Sequence, residues 1–83
     1  MTPIPFVTHA EYRGEFRIRL RFEDGLIKTV DFRPMFRGPI FEPLLQPEAF
    51  RAFRIEGGTV AWPNGADIAP ETLHAAPAAE EAA

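Results

Sequence analysis

Glu15-Phe16-Arg17-Ile18-Arg19-Leu20-Arg21-Phe22-Glu23-Asp24-Gly25-Leu26-Ile27-Lys28-Thr29-Val30-Asp31-Phe32-Arg33 holds the clearest pattern in the chain. Phe16, Ile18, Leu20 and Phe22 alternate with Arg17, Arg19 and Arg21. A helix would spread that apolar set around its circumference, whereas a strand puts all four on one face. Glu23-Asp24-Gly25 supplies turn chemistry, and Gly25 tolerates a positive φ. Leu26 to Phe32 then returns with Ile27, Val30 and Phe32, residues that suit a pleated, half-buried surface. The segment is read as a β-hairpin.

Working outward, Phe6 to Arg13 reads as a further strand, with Val7 and Tyr12 facing inward and Gly14 linking into the next. Pro3 and Pro5 suit a lead-in or an edge, because neither donates to a ladder. Three locally connected strands make an antiparallel meander. Beyond it the period changes. Arg33 to Gly38 reads as one helical turn with Pro34 near its start. Phe41 to Leu45 is a compact apolar segment, and Pro47 to Phe53 a second short helix with Phe50 and Phe53 on one face. Gly57-Gly58 between Arg54-Ile55-Glu56 and Thr59-Val60-Ala61-Trp62 reads as a second small hairpin. Pro63-Asn64-Gly65 is a turn, and Pro70 to His74 a last helical turn. The expected fold class is α+β: a compact two-layer domain spanning residues 1–74. Residues 75–83, small side chains and two glutamates, are expected to form a disordered tail.

The chain has 83 residues, no cysteine and no serine. That length gives one domain, burying about 60–65% of its unfolded surface. Without cysteine there is neither a disulfide framework nor a thiolate metal cage, and His9 and His74 alone do not make a structural zinc site. No apolar run reaches the roughly 18–20 residues of a membrane span, so a soluble, cytoplasmic protein without a membrane partner is expected. Charge is divided along the chain. Residues 1–41 carry seven basic groups against five acidic, and residues 42–83 two against seven. Such a split favours internal complementarity or the pairing of chains.

Three groups of residues are candidates for function. Arg17, Arg19 and Arg21 stand on one strand face, roughly 6.5–7 Å apart. They form either a surface for an acidic partner or a solvated face paired to Glu11, Glu15 or Glu23. No aromatic side chain interleaves with them, so nucleic acid is an unlikely partner. The turn Trp62-Pro63-Asn64-Gly65-Ala66-Asp67, with Glu71, gathers an amide and two carboxylates that suit a hard cation, a small ligand or acid–base work. The same residues equally suit a purely structural turn opening a helix at Pro70. Phe36, Phe41 and Trp62 lie beside turns and are the aromatic residues expected to leave an apolar patch for a partner. Neither a serine- or cysteine-based triad nor a phosphate-binding glycine loop fits this sequence. No catalytic residue, cofactor or metal is assigned.

Phe22-Glu23-Asp24-Gly25, Asp31-Phe32-Arg33-Pro34, Gly38-Pro39-Ile40-Phe41-Glu42-Pro43-Leu44 and, above all, Val60-Ala61-Trp62-Pro63-Asn64-Gly65-Ala66-Asp67-Ile68-Ala69-Pro70-Glu71 follow one another in a familiar order. The chain thereby resembles a family of small bacterial proteins catalogued as a domain of unknown function, number 2442, from about Pro5 to His74. Glu71 stands where that pattern has an aspartate. The resemblance implies a two-layer α+β domain and no particular activity. It also implies that small members have another short protein as a neighbour, which points to a binding pair. The resulting expectation is a non-enzymatic interaction module, regulatory or antitoxin-like, whose partner is another small protein or a second copy. The alternative is a small-ligand or metal-binding domain, or a minor enzyme, centred on the Trp62–Asp67 turn.

Overall fold

The computed structural model describes residues 4–79. Strands β1 (Val7–Tyr12), β2 (Arg17–Phe22) and β3 (Ile27–Asp31) form an antiparallel sheet in the order β1-β2-β3. A second, two-stranded sheet pairs β4 (Arg54–Glu56) with β5 (Thr59–Ala61). Between the sheets the chain makes single 3-10 turns at Arg33–Met35 and Glu42–Leu45 and the short helix α1 (Pro47–Phe50). Helix α2 (Pro70–Ala75) follows the second sheet. Each of these four turns and helices has a proline in its first two positions, where a missing N–H costs nothing.

The alternation in β2 becomes burial: Ile18, Leu20 and Phe22 are inside, while Arg19 and Arg21 are exposed. Val7 and Tyr12, although of opposite parity, both face inward. The reason is a register shift between Val7 and His9, opposite Phe22 and Arg21, which adds one residue to β1 and returns the face. Val7, Ile18, Leu20, Phe22, Val30 and Phe32 from the sheet meet Leu44, Phe50, Val60, Trp62, Ile68 and Leu73 from the second layer in one core.

Phe50 is the hub of the aromatic residues. Its ring centroid lies 5.3 Å from Phe16, 5.8 Å from Phe36 and 6.0 Å from each of Tyr12, Phe32 and Trp62. Most of these contacts are edge-to-face, the arrangement that ring quadrupoles favour. The second hairpin is tied to the first sheet where Val7 N–H donates to Gly58 C=O at 2.8 Å. Gly58 has φ +78°, and a Cβ there would drive into the Phe6 ring, so both the turn and the close approach require glycine.

The described residues continue past the boundary expected at His74. Ala75 closes α2, and Ala76 packs against the core. Ala79 N–H donates to Thr29 C=O at 2.7 Å. Within residues 75–79, Ala75 thus belongs to α2, and Ala79 is joined to β3 through that one backbone hydrogen bond. Of the expected tail, Glu80 to Ala83 lie outside the described residues, as does Pro3 at the other end.

Candidate functional site

The first sheet has two unlike faces. Its inner face is consumed by the core. On its outer face, register places His9, Arg21 and Ile27 in one row, Glu11, Arg19 and Thr29 in the next, and Arg17 beside Asp31. The three arginines run down its central strand. Arg19 and Arg21 are exposed, whereas Arg17 is half-buried. Glu11 stands directly opposite Arg19, and Asp31 directly opposite Arg17, so each of those guanidinium groups has a carboxylate across the ladder. Glu11 also holds Arg13 at 3.3 Å. Arg21 is flanked instead by His9 and Ile27, and Ile27 is 48% exposed.

Of the three aromatic residues expected at the surface, none is exposed. Trp62 is 2% exposed, and its indole Nε1–H donates to Phe50 C=O at 2.8 Å. Phe36 and Phe41 are half-buried and stack on one another at 5.4 Å with 9° between their planes, and Phe36 meets the Trp62 ring edge-on at 5.6 Å. Their place beside turns brings Phe36 and Phe41 to the margin of the core, where they are packed against it and only partly covered. The large apolar side chains left exposed are Ile4, Phe6, Leu26, Ile27, Ile40, Leu45 and Ile55. The hairpin register was the available signal for Ile27, since it shares parity with Thr29 and Asp31 and not with Val30.

The Trp62–Glu71 segment is spread out. Asn64 spends both ends of its amide on the backbone: Nδ2–H donates to Ile40 C=O at 2.9 Å, and Oδ1 accepts from Ala66 N–H at 3.0 Å. Trp62 N–H donates to Ala66 C=O, and Gly65 N–H to Trp62 C=O, closing the turn. Asp67 bridges to Ala61 through the backbone and borders a small depression with Arg54 and Glu56. Glu71 is exposed in the first turn of α2 and does not border that depression. Among the described residues no three His, Asp or Glu side chains gather to hold a metal ion. What this segment does in the fold is join the Gly38–Leu45 region to the second hairpin.

A larger concavity than that depression lies elsewhere, an open cleft of about 940 Å³ at the Arg17 end of the sheet. Tyr12, Phe16, Arg17, Asp31, Arg33 and Met35 contribute to it, and residues 76–79 form one wall. The Arg33 guanidinium sits 5.5 Å from the Phe16 ring centroid, a cation–π contact. At its rim Glu15 adopts φ +52°, in the left-handed region that branched and long side chains avoid, and Tyr12 O–H donates to its carbonyl at 3.1 Å. At the far end of the sheet, His74 Nε2 lies 2.8 Å from Asp24 Oδ2 and its ring stands edge-on to Phe22 at 4.9 Å. The Leu26 N–H, then His74, hold the Asp24 carboxyl below its ordinary value. Lys28, on the inner face, sends its ammonium to the carbonyls of His74 and Ala76, and burial pushes its amine down.

No helix among the described residues is long and apolar enough to cross a membrane. Neither the curated proteins nor the solved structures contain a match to the chain. A family model described as "Protein of unknown function (DUF2442)" matches residues 7–77, from the first residue of β1 to beyond the end of α2. That span includes both sheets, the arginine strand and the Trp62–Asp67 turn, and it shows that the chain belongs to the DUF2442 family.

Proposed function

We propose that the protein is a non-enzymatic interaction module that binds another small protein through the outer face of its three-stranded sheet, in a regulatory or antitoxin-like role. The observation that carries this reading is the exposed pair Arg19 and Arg21 on the central strand, beside the exposed Ile27. Two guanidinium groups next to an apolar side chain match the make-up of protein contacts, in which arginine is enriched. Arg21, with no carboxylate opposite it in the ladder, is the member of the pair most open to an acidic partner. Interfaces of this kind gain on-rate and selectivity from charge complementarity and weaken as salt screens it.

The test is a capture experiment with full-length tagged protein and the double substitution Arg19→Glu/Arg21→Glu, which touches exposed positions only. The wild type is expected to retain one small protein at low ionic strength and lose it at high salt. The double variant, folded by circular dichroism, is expected to retain none. If the variant captures the same protein as well as the wild type does, the sheet face is not the interface.

A further inference from the structure

The hydrogen-bond phase of the hairpin determines which backbone groups of β3 look outward. Phe22 N–H donates to Leu26 C=O, and Phe32 N–H to Phe16 C=O, both at 2.8 Å. In an antiparallel ladder bonded pairs alternate with unbonded ones. Lys28 and Val30, opposite Leu20 and Ile18, therefore point their backbone groups at β2. Ile27, Thr29 and Asp31 point theirs away, to the free edge of the sheet. Thr29 C=O is met there by Ala79 N–H. The backbone groups of Ile27 and Asp31 meet no backbone partner across that edge among the described residues.

An open edge strand is a template for another extended chain, and proteins commonly cover it with a loop. Here the cover is residues 76–79, Ala-Pro-Ala-Ala, which leave α2 in extended conformation, with Ala76 at φ −65° and ψ 146°. Its hold on the edge is one backbone hydrogen bond, and its anchor is the Lys28 ammonium on the carbonyls of His74 and Ala76. The same four residues line the open cleft, as do Val30 and Asp31 of β3. Cleft and edge are thus one continuous site, and the chain's own segment shows what it accepts: an extended backbone with small side chains.

We propose that the free edge of β3, with the adjoining cleft, is a strand-addition site for an extended, small-side-chain segment of a partner polypeptide, and that residues 76–79 are the displaceable strap occupying it. The cleft is lined by two guanidinium groups, Arg17 and Arg33, and two carboxylates, Glu15 and Asp31. Recognition there rests on backbone pairing rather than on net charge, in contrast to the arginine face. Strand addition is a recurrent mode of peptide capture, with main-chain hydrogen bonds supplying the affinity. The cleft shares Arg17 and Asp31 with the outer sheet face but not Arg19 or Arg21, so either surface can fail its test without the other.

The experiment uses isotope-labelled full-length chain, wild type and Ala79→Pro, the latter lacking the donor to Thr29. The probe is a synthetic peptide of residues 75–83 added at millimolar concentration and followed by amide chemical shifts. In Ala79→Pro the amides of Ile27, Thr29 and Asp31 are expected to shift with the probe. In the wild type the response is expected to be about tenfold weaker, because the tethered strap competes at high effective concentration. A peptide with proline in place of Ala79 should have no effect, and raising sodium chloride from about 0.05 to about 0.5 M should leave binding unchanged. Lys28→Met, which removes the anchor and keeps the apolar stem, is a second loosened variant and should behave like the first. Absence of shifts at those three amides in both folded variants overturns the proposal, as does an equal response to the proline peptide. Concentration-dependent self-association through this edge would also overturn it, by making the occupant a second copy.

Discussion

At the scale of single residues, Trp62 shows how a polar handle fixes a core. Its ring fills the space between Phe32, Phe36 and Phe50, and its N–H satisfies the carbonyl of the fully buried Phe50. Trp62→Phe keeps much of the apolar area but leaves the buried Phe50 carbonyl without its donor. The expected loss is about 1–3 kcal/mol from the orphaned group, besides the cost of the smaller ring. Urea unfolding of the two proteins measures it, and equal midpoints would show that the indole bond contributes nothing. Asn64 carries the same lesson in the opposite setting: it is exposed, yet both ends of its amide are used. Asn64→Ala is expected to cost about 1–2 kcal/mol, two neutral hydrogen bonds at their usual net value. Asp67→Ala, at an exposed side chain, should stay within about 0.5 kcal/mol. A larger effect at Asp67 than at Asn64 would reopen the turn as a ligand site.

At the scale of elements, the β2–β3 turn and helix α2 are joined by one titratable pair. Asp24 accepts from Leu26 N–H at 3.0 Å within its own turn, and His74 reaches it from the helix. Both interactions favour the carboxylate, so the folded-state value lies below the unfolded one. The stability it contributes is therefore fully present above the unfolded value, about 4, and is lost as pH falls from there through the folded value. Asp24→Asn should flatten that part of the acid limb and leave the remainder of the profile in place. Urea midpoints at steps from about pH 5 to about pH 2.5 would show it, and identical limbs for the two proteins would contradict the coupling. The pair matters beyond its own strength because it seats the end of α2, from which residues 76–79 run onto β3.

At the scale of the whole molecule, the two faces and the free edge of one sheet differ in character. The inner face is core, the outer face presents arginines, and the free edge is closed by the chain's own continuation. The charge split along the sequence, basic first and acidic afterwards, leaves carboxylates among the N-terminal arginines. Arg19 faces Glu11 and Arg17 faces Asp31, all within the N-terminal half. Register therefore sets a carboxylate opposite two of the three arginines of β2, and Arg21 is the one for which it supplies none. Binding by the outer face should accordingly be more sensitive to salt than binding at the β3 edge, where charges of both signs line the cleft.

The sequence by itself determined the elements whose signal is local. Period-2 alternation made β2, Asp24-Gly25 and Gly57-Gly58 made the turns, and proline opened each short helix. Those features are set by sterics and by the burial of one face, and both act within a few residues. The arginine face was legible for the same reason, because parity alone puts Arg17, Arg19 and Arg21 together. Tertiary structure alone decided what parity does not reach. It placed a bulge in β1 so that Val7 and Tyr12 share a face, and it drew Trp62 inward because Phe50 offered its indole a carbonyl. It spent Asn64 on Ile40, 24 residues away. It also brought Ala79 to the edge of β3. Each of these depends on a backbone carbonyl or a strand edge presented by a distant segment, and side-chain pattern carries no record of where the backbone has hydrogen bonds to give.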